Sequence, residues 1–146
     1  MLLLAGRKYG TPRNHINKFK KLYPDYSFDI INDAVIDELI VFTKKFSFNS
    51  EKDESARHEL EICIEVLKNY KKYNMSGGYL HLGENIIGYS FGEIIGDTLF
   101  VHIEKADVTY HGAYQMLTNS FLRTFADNES VKFVNREEDC GDEGLR

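Results

Sequence analysis

From Gly77 onward the apolar positions fall into short blocks, and their spacing lengthens from every second residue to every fourth part of the way along. Tyr79 to Leu82, Ile86 to Ile95 and Leu99 to Glu104 are separated by Gly83-Glu84-Asn85 and by Gly96-Asp97. These turn residues supply the positive φ that tight hairpins require, so the pattern predicts three antiparallel strands. The third block then breaks into polar residues at His102, Glu104, Lys105 and Asp107. Between Tyr110 and Ala126, Ala113, Leu117, Phe121 and Phe125 recur at intervals of four beside Met116 and Leu122. That spacing predicts an amphipathic helix. Val131-Lys132-Phe133-Val134, entered through Asp127-Asn128-Glu129, reads as a further strand because it is short, β-branched and aromatic.

The first half is mainly helical. Thr11-Pro12-Arg13 opens a short helix bearing Ile16, Phe19 and Leu22, with Pro12 where a first turn tolerates it and Pro24 beyond the end. Tyr26, Phe28 and Ile30 alternate with Ser27 and Asp29 as in a half-buried strand. Asn32 is placed to cap a helix with Val35, Leu39, Phe42 and Phe46 on one stripe. A second helix begins in the acidic turn Ser50 to Ser55, carries Leu60, Ile64, Leu67 and Tyr70, and stops at Ser76-Gly77-Gly78. Polar residues thus gather where strands end, the position from which rigidly held side chains face a ligand.

A chain of 146 residues, 42% of them hydrophobic, suits one compact domain. The formal charge of -5 gives the molecule as a whole no electrostatic case for wrapping nucleic acid. Its distribution is uneven. Residues 1 to 24 hold Arg7, Lys8, Arg13, Lys18, Lys20 and Lys21 and no acid, a polarity that steers anions toward this segment or simply solvates a helix face. Cys63 and Cys140 lie far apart with no C-x-x-C spacing, which indicates neither a disulfide framework nor a zinc site and suits a reducing cytoplasm. Leu2-Leu3-Leu4 is cut short by Gly6 and Arg7, too brief for a signal peptide, and no apolar run approaches the roughly 20 residues of a transmembrane segment.

Four stretches carry a resemblance. They are G-R-K-Y-x-x-x-R-N-H-I-N-K-F from Gly6 to Phe19, H-I-E-K-A-D from His102 to Asp107, Y-x-G-A-Y-Q from Tyr110 to Gln115, and N-R-E-E-D-x-G-x-E-G-L-R from Asn135 to Arg146. Together with the order of predicted elements they resemble the second half of a bacterial family with two acetyltransferase-like (GNAT) domains in tandem, related to the C-terminal domain of phosphatidylglycerol lysyltransferase. The resemblance implies an α+β fold of α/β/α sandwich type, a mixed and mostly antiparallel sheet flanked by helices. Residues 1–24 would form a basic linker segment and helix, and residues 25–146 the acetyltransferase-like domain. The family's pattern continues past Gly144-Leu145-Arg146, so its last strands are expected to be missing, and a sheet that ends at Val131 to Asn135 should be covered at that edge or dimerise. The reaction implied is transfer of an acyl or aminoacyl group to a hydroxyl or amine, with acetyl- or acyl-CoA or aminoacyl-tRNA as donor. An anionic lipid headgroup and a separate N-terminal domain are the further partners implied. A non-catalytic binding module retaining the fold is the alternative.

The residues suggest roles within that frame. In ordinary acetyltransferases a glycine-rich turn before a helix holds the coenzyme A pyrophosphate on backbone N–H groups. Here His111, Gly112 and Ala113 stand in that position as donor-binding candidates, with Tyr114 where a second glycine is usual. Glu104, ending a strand, is the candidate general base, with pairing to its neighbour Lys105 as the structural alternative. Arg136, after Asn135 on the next strand, should lie across a splayed gap and can bind phosphate or carboxylate bidentately; its alternative partners are Glu137, Glu138 and Asp139. Arg7, Lys8, Arg13 and His15 form a possible anion-binding cluster. Asp139 to Gly144 matches no calcium loop, and no metal is expected. Cys140, among carboxylates, is a poor nucleophile. Cys63 reads as core, and His58 and His81 have no partner spacing.

Overall fold

The computed structural model describes residues 2–3, 13–46 and 54–136. Among the described residues six strands and four α-helices follow one another in the order β1 (Leu2–Leu3), α1 (Arg13–Leu22), β2 (Tyr26–Ile30), α2 (Ile36–Lys45), α3 (Glu54–Asn69), β3 (Ser76–Leu82), β4 (Asn85–Ile95), β5 (Thr98–Ala106), α4 (Ala113–Phe125) and β6 (Phe133–Arg136). The strands form one sheet in the order β1-β6-β5-β4-β3-β2. β2 to β5 run antiparallel to their neighbours, whereas β5 and β6 are parallel and α4 makes the crossover between them.

The hairpins form where the turns predict them. Gly83 and Gly96 have φ of 63° and 65°, so each reverses the chain in a conformation that costs other residues energy. The Asn32 side chain accepts from Ala34 N–H at 2.8 Å and starts the short turn Asp33–Val35 that leads into α2. The third hairpin strand extends through Lys105 to Ala106, beyond the expected Glu104. β6 begins two residues later than the apolar run suggests, because Asn128 Oδ1 holds the Ser130 and Val131 N–H groups and the Asp97 carbonyl holds those of Lys132 and Phe133. The alternation along β2 also ends early. Ile30 is 58% exposed and Ile31 is buried instead, its N–H bonded to the Gly77 carbonyl.

Two layers of helix sandwich the sheet. On one face α2 and α3 pack Leu39, Phe42, Cys63 and Leu67 against Tyr89, Phe91 and Ile103. On the other, α1 and α4 pack Ile16, Phe19, Met116 and Leu117 over Leu80 and Ile87, while Phe121 and Leu122 cover Leu99, Val101 and Val134. α1 is therefore part of the core. The expected edge beyond Val131 to Asn135 is covered by the chain's own start, since Leu2 and Leu3 pair antiparallel with Val134 and Phe133. Among the described residues no helix is long and apolar enough to cross a membrane.

Phe19 has no exposed surface and sits between α1, the α4 start and the sheet. Phe19→Ala is expected to cost about 3–5 kcal/mol, as for other fully buried aromatics, read as a lowered midpoint in urea unfolding. A change below about 1 kcal/mol would show that α1 only rests on the domain.

Candidate functional site

Among the described residues β5 and β6 pair at four positions, from Thr98↔Phe133 to Val101↔Arg136. Past Val101 β5 continues to Ala106, and among the described residues β6 stops at Arg136; the β5–β6 end beside these residues is the candidate slot. Two facts of register put chemistry in it. Val134 faces α4, so Arg136, two residues on, faces the same way. Along β5, however, Val101 faces α4 while Ile103 faces α2 and α3, which simple alternation forbids. The cause is a bulge: Phe91 pairs with Ile103 and Gly92 with Val101, so His102 is an extra residue. Past it Glu104 is turned toward α4 and Lys105 toward α3.

The result is a three-residue cluster at the slot. Arg136 Nη2 donates to Glu104 Oε1 at 2.5 Å, and Thr118 Oγ1 on α4 donates to Glu104 Oε2 at 2.9 Å. The Glu104 side chain is 9% exposed and that of Arg136 is 30% exposed. Arg136 Nε is buried with no partner among the described residues, an unmet donor of the kind that costs about 1–3 kcal/mol. Lys105 does not pair with Glu104. Its ammonium lies 3.1 Å from Glu59 on the opposite face. Burial works against that charge, but Cys63, then Glu59 and Tyr114, outweigh it and hold the Lys105 pKa above the ordinary lysine value. Beside it Tyr89, fully buried and 2.6 Å from the Thr43 hydroxyl, has its phenol pushed up by burial and by Cys63.

The second group of expected residues meets at the α4 start. Gly112 adopts φ 81° and caps the helix, which accordingly begins at Ala113. A Cβ there would lie 2.5 Å from the His15 carbonyl oxygen of α1. The glycine is thus demanded by the approach of α1, whatever else it serves. His111 lies beside His15, ring centroids 5.5 Å apart, and both are exposed. Thr118 stands roughly 8 Å along α4 from Ala113, so the helix start and the slot adjoin. Asn135 pairs with Phe100 at the slot's closed end, and Arg13 is exposed at the first position of α1. Arg7, Lys8, Glu137, Glu138 and the Asp139 to Gly144 run lie outside the described residues. Thr118 was missed by the sequence reading: a threonine among α4's apolar positions gives no sign of the carboxylate it meets. His81 does have a partner, Asp29 Oδ2 at 2.6 Å, with the Gly83 carbonyl at 2.9 Å from its other nitrogen. A hollow lined by Gly92, Ile94, Phe121 and Phe125 lies at the far end of α4 and holds none of the expected residues.

A mixed sheet with one parallel pair, a crossover helix between its two strands and a helical layer on each face defines an acetyltransferase-like (GNAT) fold. Solved acetyltransferases share it: an aminoglycoside acetyltransferase from an uncultured soil metagenomic sample, in complex with sisomicin, matches with a TM-score of 0.58 over 84% of this chain and 83% of that one, at 11% identity. The chain belongs to the phosphatidylglycerol lysyltransferase, C-terminal family, whose model matches residues 1–146. A conserved protein of unknown function from Bacteroides thetaiotaomicron VPI-5482 is 37% identical, with a TM-score of 0.84, over 98% of this chain and 49% of its own. An uncharacterised protein of Mycoplasmoides gallisepticum is 25% identical over 142 residues, 97% of this chain and 46% of its own length. The chain spans about half the length of these two relatives.

Gly83 also has positive φ, but open space surrounds it. Gly83→Ala should therefore cost only the strain of the left-handed conformation, about 1–2 kcal/mol. Gly112→Ala should cost about 1–3 kcal/mol more, because the His15 carbonyl must also move. Equal shifts in thermal midpoint for the two variants would contradict this account of Gly112.

Proposed function

We propose that this domain is an acyl- or aminoacyltransferase whose donor lies in the slot between β5 and β6. The observation that carries the reading is the Glu104–Arg136 pair across the opened end of the parallel strands, with Thr118 completing it. Arg136 anchors an anionic part of the donor, and Glu104 is the carboxylate nearest the transfer, placed to take the acceptor's proton. His111, Gly112 and Ala113, with His15 beside them and Arg13 at the start of α1, offer positive charge and a helix start for the donor's phosphates. Acyl-CoA and aminoacyl-tRNA both suit such a surface, and both are made in the cytoplasm, where this reading places the chain. The acceptor is a hydroxyl or an amine, with the headgroup of an anionic lipid as the family's suggestion. A metal has no part in this reading.

One observation favours a second reading, a binding module without turnover. Glu104 is nearly enclosed and each of its oxygens already accepts a hydrogen bond, so as it stands the carboxylate orients Arg136.

The two readings separate in a transfer assay with acetyl-CoA and with aminoacyl-tRNA as donors, run with amine acceptors and with phosphatidylglycerol vesicles. Transfer is expected with one donor, with Glu104→Gln lowering it by about 10²–10⁴-fold, the usual worth of a positioned base, in a variant that still melts cooperatively. Unchanged turnover in that variant removes Glu104 from the chemistry. Donor binding without transfer in any combination leaves the binding module.

A further inference from the structure

We propose that two copies of this chain pair through β2, antiparallel and centred on Phe28, so that their two sheets join into one. This goes beyond the transfer reading and does not depend on it.

The sheet ends in β1 on one side and in β2 on the other. The β6 edge is covered by β1, whereas β2 pairs with β3 alone among the described residues. One hydrogen bond tells which backbone groups of β2 face outward. The Ile31 N–H donates to the Gly77 carbonyl, and bonded positions alternate along an antiparallel ladder, so Asp29 and Ser27 also turn their amides toward β3. Tyr26, Phe28 and Ile30 turn theirs away. The Tyr26 N–H is held by the Tyr23 carbonyl, but the N–H groups of Phe28 and Ile30 and the carbonyls of all three have no partner among the described residues. The side chains of Ser27, Asp29 and Ile30 are exposed beside them, so the edge is open on both faces.

The choice of a second copy as occupant comes from the sequence of the strand, which complements itself when reversed about Phe28. In that register Tyr26 lies opposite Ile30 of the second copy, and Ser27 opposite Asp29. Outward amides then meet outward amides: Phe28 exchanges both hydrogen bonds with its twin, and each Ile30 N–H reaches the Tyr26 carbonyl across from it. Tyr26 covers the Ile30 side chain that a single copy leaves exposed, an aromatic residue against a β-branched one, as cross-strand pairs favour. Each Asp29 meets a serine. A shift of two residues either way sets Asp29 against Asp25 or against its own twin, like charges directly opposite, and a shift of one residue sets outward amides against inward ones. Charge and hydrogen bonding therefore select the same register.

Sedimentation velocity of the whole chain over a concentration series tests the pairing, and a concentration-dependent dimer is expected. Ser27→Glu puts a carboxylate opposite Asp29 at both symmetric positions and should weaken the dimer by about tenfold, whereas Ser27→Lys puts the opposite charge there and should keep or tighten it. Ile30→Lys, an edge lysine of the kind that stops sheets from associating, should leave a monomer. All three substitutions replace exposed residues, and melting curves establish that each variant is folded. A chain that sediments as a monomer throughout, or a dimer that both Ile30→Lys and Ser27→Glu leave intact, overturns the pairing through β2. A dimer that Ser27→Lys weakens as much as Ser27→Glu overturns the register.

Discussion

One extra residue in β5 determines what this domain can offer a ligand. Side chains on a strand alternate between faces, so inserting His102 against β4 exchanges the faces of everything that follows. Without it Glu104 would join the layer under α3, far from Arg136, and Lys105 would occupy the slot in its place. With it a carboxylate and a guanidinium from two neighbouring strands meet beside α4. β6 needs no such correction, because Arg136 keeps the phase of Val134 in the core. The core thus fixes one partner and the bulge fixes the other.

The fold was largely legible in the sequence because its signals are local. Gly83 and Gly96 mark their hairpins, Asn32 marks its cap, and the four-residue spacing from Ala113 to Phe125 marks the crossover helix. The site was half legible. Glu104 and Arg136 stand out as polar residues at strand ends, and they do meet. What escaped reading depends on pairing between distant segments. A bulge leaves the composition of β5 unchanged, Leu2 and Leu3 look like any short apolar run, and the partners of Lys105 and Glu104 are chosen by which helix lies above each face.

Gly112 shows how a motif and a packing constraint can coincide. The resemblance assigns it to a phosphate-holding turn, yet its positive φ and the closeness of the His15 carbonyl already exclude a side chain there. A glycine with a sufficient steric cause carries little information about a ligand. The Arg136 Nε carries more, since no described residue satisfies it.

The two-residue strand at the start of the chain bears on how the molecule assembles. Leu2 and Leu3 reach β6 across nearly the whole sequence, whereas the β3–β4–β5 hairpins join residues close together. Closing so long a loop costs entropy that a two-residue ladder returns poorly, so the hairpins and the α4 crossover should form first and β1 should dock last. The same imbalance makes it the first to detach in the folded state, uncovering the outer edge of β6 transiently. The strand that carries Arg136 is therefore secured on its outer side by the shortest ladder among the described strands.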